Sequence, residues 1–238
     1  MITYGLIGKS LSHSFSSTYF QEKILREKIS ETQYLNFELK HISEFPKLIK
    51  ERKISGLNVT IPYKEKIIPF LDNLTESAKS IGAVNTIQIK ENKLIGHNTD
   101  IIGFTKAIIP ILENRKKALI LGNGGSAKAV KNALRELNIE HKTVSRKTSF
   151  NYSDIKPETI GYYDIIINTT PLGMFPEIDK NPKIPYQYLN KKHLLFDLIY
   201  NPPKTLFLHY GEKYQCTIKN GLEMLQIQAE ESWNIWTL

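Results

Sequence analysis

Residues 117–131 read KALILGNGGSAKAVK. The apolar run at residues 118–121 stops at Gly122, and Gly124 and Gly125 open a helix-forming segment. This order predicts a strand, a tight turn and a helix, the unit that holds the pyrophosphate of a dinucleotide. The glycines let the backbone approach the phosphates, and the helix N-terminus attracts anions. The spacing is G-x-G-G-x-A instead of G-x-G-x-x-G, so a plain structural turn is the alternative interpretation.

Predicted strands and helices alternate along the rest of the chain. The strands lie at about residues 2–7, 34–39, 57–60, 118–121, 142–144, 164–167, 194–198 and 216–218, with a hairpin formed by residues 86–89 and 94–96. The helices lie at about residues 16–28, 42–52, 101–112 and 222–236. This alternation predicts an α/β fold with mostly parallel sheets. Two domains with a boundary near residue 101 are the simplest organisation, and ligands would lie at the carboxyl ends of the strands.

The last predicted helix carries an apolar stripe. Its members are Leu222, Leu225, Ala229, Trp233 and Trp236. Residues three and four positions apart share one face of a helix, so we expect this stripe to pack in the core.

The composition argues against several classes of protein. The 238 residues carry a net charge of +8, but lysine outnumbers arginine 27 to 5 and the lysines are scattered, which disfavours nucleic-acid binding. Steering of an anionic small molecule is a better use of this charge. No apolar run is long enough to predict a membrane-spanning helix. Cys216 is the only cysteine, so we expect no disulfide within the chain, a core role for Cys216 and a reducing, cytoplasmic location.

The end of the next predicted strand bears on the choice of cofactor. An NAD-binding unit usually places Asp or Glu about 20 residues after the glycine turn, to bind the ribose 2′-hydroxyl. This chain has Ser145, Arg146 and Lys147 in that region. A hydroxyl and two cations suit a 2′-phosphate, so the sequence favours NADP, with a solvated basic turn as the alternative.

Polar residues follow several strands of the first half, and each has an ordinary explanation when taken alone. Ser14 or Ser16 could cap a helix. Lys64, at the end of the segment NVTIPYK, could be a surface lysine, and Asp100 could cap the helix that begins at Ile101.

Taken together, these segments resemble those of one family, the shikimate dehydrogenases. The family's serine pair after the first strand is matched by Ser14 and Ser16. Its motifs N-V-T-x-P-x-K, A-V-N-T and G-x-N-T-D are matched by residues 58–64, 83–86 and 96–100. Later matches are INTTPLGM at residues 167–174, DLIYNP at residues 197–202 with Thr205, and GLEMLQIQA at residues 221–229. The matches keep the family's order from residue 5 to about residue 236.

The resemblance implies a fold and an activity. The fold would have an α/β substrate-binding and catalytic domain, at residues 1–101 plus 222–238, and a Rossmann-type NADP-binding domain at residues 102–221. The reaction would be the reversible, NADPH-dependent reduction of 3-dehydroshikimate to shikimate, in the biosynthesis of aromatic amino acids. The expected partners are this small-molecule substrate and NADP, with no metal, nucleic acid or membrane, and the expected assembly is a monomer or a homodimer.

The resemblance also assigns roles to residues. Lys64 and Asp100 would be the catalytic pair. The substrate carboxylate would be bound by Ser14, Ser16 and Tyr200, and the ring hydroxyls by Thr60, Asn85 and Gln228 with the catalytic pair. The pyrophosphate would be bound by Gly122, Gly124, Gly125, Ser126 and Ala127. Ser145, Arg146 and Lys147 would face the 2′-phosphate, and Thr169 and Met224 would lie near the nicotinamide and its ribose.

The chain departs from the family pattern at a few positions, and two other functions stay open. Ser17 stands where the family usually has proline, and Glu223 stands inside its G-L-G-M motif. A quinate/shikimate dehydrogenase that accepts NAD is the first alternative. A non-catalytic NADP-binding regulator of the same fold is the second. Against it stands the presence of Lys64, Asp100, Asn85 and Gln228.

Overall fold

The computed structural model describes residues 1–11, 14–146 and 149–238, and the chain forms two compact units. The first unit comprises Met1–Asp100 and Gln226–Leu238, and the second comprises Ile101–Leu225. The first unit is therefore discontinuous in sequence, because the C-terminal segment returns to it. No helix within the described ranges is long and apolar enough to cross a membrane.

The first unit is built on six strands. These are β1 (Ile2–Gly8), β2 (Thr32–Glu38), β3 (Gly56–Val59), β4 (Asn73–Leu74), β5 (Thr86–Lys90) and β6 (Lys93–His97). Its helices are α1 (Phe15–Arg26), α2 (Phe45–Glu51) and α3 (Glu76–Ile81). The sheet order is β2-β1-β3-β5-β6-β4. Strands β1, β2 and β3 are parallel, whereas β5 runs antiparallel to both β3 and β6.

The second unit is a parallel sheet with helices. Helix α4 (Asp100–Leu112) leads into β7 (Lys117–Leu121), α5 (Gly125–Glu136), β8 (Glu140–Val144), α6 (Pro157–Tyr162), β9 (Ile165–Asn168), β10 (Leu194–Asp197), α7 (Leu206–Lys213) and β11 (Thr217–Lys219). The order is β11-β10-β9-β7-β8, and every pairing is parallel. Strand β7 lies between β8 and β9, so the chain moves outward from β7 to β8 and then crosses back to β9 on the other side of β7. In such sheets the crevice at this switch point is the usual ligand site.

The last helix, α8 (Leu222–Thr237), starts in the second unit and belongs to the first unit from Gln226 onward. Ala229 is buried in a core cluster with Tyr4, Leu6 and Phe20, and Trp233 and Trp236 pack against that cluster. The predicted core stripe is therefore confirmed for these three residues. It is wrong for Leu222, which is 38% exposed because it lies at the first turn of the helix.

Most predicted strands and helices are confirmed to within a few residues, including the antiparallel hairpin of β5 and β6. The sequence pattern did not predict β4, α3, α6 or α7. Each of these elements has eight residues or fewer, so it gives little periodicity to detect.

Candidate active site

Three strand ends of the first unit meet at one edge of its sheet. Strands β3 and β6 both run antiparallel to β5, so the carboxyl ends of β3 and β6 lie beside the amino end of β5. Lys64 follows β3, Asn85 immediately precedes β5, and Asp100 follows β6. The topology therefore brings together residues that are up to 36 positions apart in the chain.

Lys64 and Asp100 form an ion pair at this edge. The Lys64 Nζ lies 2.6 Å from Asp100 Oδ2, and the two side chains are 18% and 6% exposed. The Lys64 carbonyl accepts the Val84 N–H at 2.7 Å, which fixes the backbone that carries the lysine. Removal of either partner would leave the other charge buried without compensation, which is costly.

Asn85 orients the other carboxylate oxygen of Asp100. The Asn85 Nδ2 lies 3.0 Å from Asp100 Oδ1 and 3.2 Å from Gln228 Oε1, and the Asn85 Oδ1 accepts the backbone N–H of Thr99 at 2.8 Å. Asn85, Asp100 and Gln228 are all buried. Asp100 does not cap α4 from outside, since it is the first residue of the helix and donates its own N–H to Asn98 Oδ1.

The predicted carboxylate-binding serines lie at the start of α1. Ser14 occupies the N-cap position in extended backbone, but its side chain makes no capping hydrogen bond within the described part of the chain. The Ser16 side chain hydrogen-bonds with Tyr34, whose phenol is buried. Thr60 follows β3 and is half-buried, with its N–H donated to Ile7 O at 2.9 Å.

The glycine turn of the second unit lies at the switch point between β7 and β9. Gly122 has φ +113°, and a Cβ at this position would lie 2.5 Å from Thr169 Oγ1. The Thr169 hydroxyl donates to Leu121 O at 2.7 Å, so it closes the gap between the ends of the two strands. Only glycine fits this backbone, because both the positive φ and the close approach exclude a side chain.

Helix α5 begins immediately after this turn with its first N–H groups available for an anion. Gly124 is the N-cap residue and has no side chain with which to cap. A Cβ at Gly124 or Gly125 would meet no atom within 4 Å, so the space in front of the helix is open. Ser126 is half-buried, and Ala127 is fully buried, which anchors the helix to the sheet.

The remaining predicted cofactor residues lie directly after β8 and in α8, and Tyr200, which was predicted to bind the substrate carboxylate, follows β10. Ser145 is 8% exposed and Arg146 is exposed, both directly after β8, whereas Lys147 lies outside the described residues. Tyr200 follows β10 and is half-buried, and burial raises its pKa. Met224 is 4% exposed in the first turn of α8.

A buried carboxylate holds the loops after β9 and β10. The Asp197 carboxylate accepts hydrogen bonds from the Thr205 hydroxyl at 2.6 Å, the Asn168 side-chain amide at 3.0 Å and the Ile199 N–H at 3.1 Å. Asn168 in turn accepts the N–H of Thr170 at 3.0 Å. Burial raises the pKa of Asp197 to about 7.

No group of three or more His, Cys, Asp or Glu side chains in residues 1–11, 14–146 and 149–238 is arranged to hold a metal ion. The polar groups at the two sheet edges instead suit an organic ligand with hydroxyl and carboxylate groups and a phosphate-bearing ligand.

Comparison with known proteins identifies the family. A family model described as the shikimate dehydrogenase substrate binding domain matches residues 6–87. The shikimate dehydrogenase (NADP(+)) of Clostridium beijerinckii is 41% identical over 250 residues, which cover 98% of this chain and 91% of that protein. The chain belongs to the shikimate dehydrogenase family.

Solved structures of shikimate dehydrogenases share the fold. Shikimate dehydrogenase 1 from Peptoclostridium difficile has a TM-score of 0.89 at 38% identity, over 100% of this chain and 92% of that one. The Thermus thermophilus enzyme, solved in complex with NADP(H) and shikimate, has a TM-score of 0.89 at 28% identity, over 100% of this chain and 94% of that one. The fold class predicted from the sequence is confirmed.

Some polar residues beside the shikimate dehydrogenase motifs were missed by the sequence analysis. Ser232 is fully buried on α8 and hydrogen-bonds with Asn58 and Thr86, and Tyr34 hydrogen-bonds with Asn58 from the other side. The available signal was position, because Ser232 lies seven residues after Leu225, on the apolar face of the helix. A small polar residue on a buried helix face indicates a hydrogen-bonded partner.

Proposed function

We propose that this protein catalyses the reversible, NADPH-dependent reduction of 3-dehydroshikimate to shikimate, a step in the biosynthesis of aromatic amino acids. The observation that carries the proposal is the buried Lys64–Asp100 pair, at 2.6 Å, with Asn85 bound to the second oxygen of Asp100. A lysine held in this way is suited to proton transfer rather than to the surface role that lysines usually have. The 41% identity to a shikimate dehydrogenase (NADP(+)) supports the choice of substrate and cofactor.

In this proposal, the first unit binds the substrate. Ser14 and Ser16 bind the carboxylate through hydroxyl groups near the start of α1, together with Tyr200 of the second unit. Thr60, Asn85 and Gln228 bind the ring hydroxyls. Support comes from the strand ends, because Thr60, Lys64, Asn85 and Asp100 all follow or precede strands at one edge of the sheet.

The second unit fits a dinucleotide phosphate. Gly122 brings the backbone close to Thr169, and the N-terminus of α5 is uncapped by any side chain of the described residues. Gly122, Gly124, Gly125, Ser126 and Ala127 therefore form the proposed pyrophosphate site. Ser145, Arg146 and Lys147 form the proposed 2′-phosphate site, and Thr169 and Met224 are assigned to the nicotinamide end.

The residues of the first unit manage the proton of the reaction. NADPH, when bound, supplies the hydride for C3 of the substrate. The oxygen on C3 must gain a proton in reduction and lose one in oxidation. Lys64 and Asp100 hold that proton between Nζ and Oδ2, and Asn85 keeps Asp100 from rotating away. Because the pair is largely buried, its charges act on the reacting oxygen with little screening by water.

A steady-state assay tests this function. We expect nicotinamide absorbance to change when the purified protein is mixed with shikimate and NADP. Parallel reactions with quinate and with NAD distinguish the dehydrogenase from a quinate-oxidising, NAD-dependent relative. A folded protein that gives no change with shikimate and either cofactor would be a non-catalytic regulator, and the proposal would be wrong.

We further propose that the enzyme works in the cytoplasm as a monomer or a homodimer. A single cysteine is compatible with a reducing compartment. Sedimentation analysis tests the assembly, since a larger oligomer at working concentrations would contradict it.

A further inference from the structure

Ser232 is the meeting point of several buried polar side chains in the first unit. Its hydroxyl donates to Gln228 O at 2.9 Å, in the helix that carries it. The same oxygen lies 3.1 Å from Asn58 Nδ2 and 2.7 Å from Thr86 Oγ1. Ser232, Thr86 and Asn58 are 0%, 0% and 4% exposed, so their hydrogen bonds are made with one another and not with bulk water.

These contacts join two parts of the candidate site. On one side, the Tyr34 hydroxyl donates to Asn58 Oδ1 at 2.8 Å and hydrogen-bonds with Ser16. This branch ends at a proposed carboxylate-binding serine.

The other branch runs toward the ion pair. The Thr86 hydroxyl lies 3.2 Å from Asn85 Oδ1, and Asn85 Nδ2 lies 3.0 Å from Asp100 Oδ1. Asp100 then contacts Lys64 at 2.6 Å. Because Ser232 donates its proton to Gln228 O, Thr86 shares its one hydroxyl proton between Ser232 Oγ and Asn85 Oδ1, and a line of polar contacts therefore leads from Ser232 through Thr86 to Asn85, Asp100 and Lys64.

The line has an orienting effect that packing alone would not give. An asparagine amide can be rotated by 180° with almost no change in shape, so only its hydrogen bonds define which end is oxygen. Asn58 has its oxygen toward Tyr34 and its nitrogen toward Ser232. Connected buried networks of this kind rigidify a site when every member is satisfied.

We infer that Ser232 is a positioning residue for the reaction, because its hydroxyl accepts a hydrogen bond from the Asn58 amide and reaches the Asn85 amide, and through it Asp100, by way of the Thr86 hydroxyl. The inference rests on the proposed function for its effect on turnover, but its structural content does not. Ser232 itself touches neither the ion pair nor the proposed carboxylate site.

The kinetic test compares two hydroxyl deletions on the same helix. Thr237 also bonds the carbonyl four residues earlier, at 2.9 Å, but it is exposed, so Thr237→Ala is the matched control for Ser232→Ala. We expect Ser232→Ala to lower kcat for shikimate by about 10- to 100-fold, as misplacement of reacting groups does. The KM for NADP should be unchanged, and Thr237→Ala should behave as the parent. A Ser232→Ala enzyme that melts at a lower temperature but keeps the parental kcat would make Ser232 merely structural.

A second variant tests the connection. Tyr34→Phe removes the hydroxyl on the other side of Asn58 and keeps the ring. We expect the losses in kcat from Tyr34→Phe and Ser232→Ala to be non-additive in the double variant, because both act through Asn58. If the loss in kcat of the double variant equals the product of the two single losses to within about twofold, the two residues act independently and the inference is wrong.

The last readout does not depend on activity. Side-chain amide resonances of Asn58 and Asn85 report their hydrogen bonds directly in two-dimensional NMR spectra. We expect both to shift in Ser232→Ala and neither to shift in Thr237→Ala. If the Asn85 resonances stay unchanged, the inference is wrong even in an active enzyme. If they shift in a protein that does not oxidise shikimate, the positioning by Ser232 stands and the proposed function fails.

Discussion

In the proposed mechanism the chemistry depends on Lys64 and Asp100, and the two residues are expected to act as one unit. Removal of a positioned proton-transfer group typically lowers the rate by about 10²- to 10⁴-fold. We expect Lys64→Ala and Asp100→Asn each to lower kcat by that order while shikimate still binds. The double variant should be little worse than the poorer single variant, because groups that work together are non-additive.

Exposed Lys66 provides the control for the loss of a nearby lysine, and Lys66→Ala should keep the parental kcat. Steady-state kinetics measure kcat, and circular dichroism checks that each variant is folded. A Lys64→Ala enzyme whose kcat stays within about threefold of the parent has lost far too little for a proton-transfer group, and the catalytic role would be withdrawn.

Arg146 is the residue expected to discriminate between NADP and NAD. A hydrogen bond to a charged group contributes about 1.5–3 kcal/mol, which corresponds to a change in affinity of roughly 10- to 150-fold. Arg146→Ala should weaken NADP binding by that factor and leave NAD binding nearly unchanged. Arg52→Ala, an exposed arginine of the first unit, controls for the change in net charge. Calorimetric titration measures the affinity for both cofactors. Equal losses of affinity for NADP and NAD would show that Arg146 does not bind the 2′-phosphate.

Asp197 is expected to make the stability of the second unit depend on pH. Burial raises its pKa to about 7 in the folded protein, whereas an unfolded aspartate titrates near 3.9. Between these two values the folded state holds the proton more tightly, so the unfolding free energy falls as the pH rises from about 4 to about 7. The fall from one group is at most about 1.4 kcal/mol per pH unit and ends above pH 7.

The measurement is the slope of stability against pH, obtained from urea unfolding followed by circular dichroism. Asp197→Asn should be less stable than the parent near pH 4, because the hydrogen bonds from Thr205 and Asn168 are disturbed, and it should lack this downward slope. Asp72→Asn removes an exposed carboxylate and should keep the slope. An unchanged slope in Asp197→Asn would mean that Asp197 is ionised throughout this range.

At the scale of the element, the β7–turn–α5 unit depends on one glycine more than on the others. Gly122 has φ +113°, and an added Cβ would meet Thr169 Oγ1 at 2.5 Å. Gly124 has φ −87° and open space around its Cβ position. We expect Gly122→Ala to destabilise the protein by about 1–3 kcal/mol and to weaken NADP binding, because the strained turn displaces Thr169. Gly124→Ala should cost less, about 0.5–1 kcal/mol, because alanine fits this backbone without a clash but is a poorer N-cap than glycine.

Urea unfolding and cofactor titration of the two glycine variants provide the comparison. Equal stability of Gly122→Ala and Gly124→Ala would show that the turn relaxes freely, and the close approach to Thr169 would then have no role in fixing the cofactor site.

At the scale of the whole molecule, the first unit is closed by the end of the chain. Trp236 stacks on Tyr4 with ring centroids 4.8 Å apart and donates its indole N–H to Ile87 O at 3.0 Å. It also fills the space beside Gly56, where a Cβ would lie 2.4 Å from the indole. The last 13 residues, Gln226–Leu238, therefore pack with β1 and complete the core of the first unit.

Loss of this packing should unfold the first unit more readily than the second. We expect Trp236→Ala to lower the stability of the first unit by about 3 kcal/mol, the lower end of the range for large aromatic deletions, since the side chain is only partly buried. Both tryptophans of the chain lie in this unit, so the fluorescence of Trp233 reports its unfolding in the variant. Exposed Thr237→Ala should stay within about 0.5 kcal/mol of the parent. If the unfolding transition of Trp236→Ala, followed by tryptophan fluorescence, coincides with that of the parent, the C-terminal helix does not support the first unit.

Features that depend on neighbouring residues could be predicted from the sequence alone. The glycine turn, the alternation of strands and helices and the β5–β6 hairpin were all readable, because periodicity and turn chemistry are local properties. The motifs also placed Lys64, Asn85 and Asp100 at predicted strand ends. Short helices such as α3 and α6 were not predicted, because six residues carry too little periodicity.

Which of these residues come into contact could be learned only from the folded chain. Asn58 and Ser232 are 174 positions apart and bond at 3.1 Å, and no local pattern in either segment contains the other. The exposure of Leu222 could likewise not be predicted from the sequence. A helical stripe shows which residues share a face, but it does not show where along the helix the core ends. Contacts of this kind depend on how the chain packs over its whole length. A sequence pattern therefore supplies the reactive groups, and the packed sheet and its returning C-terminal helix set the distances between them.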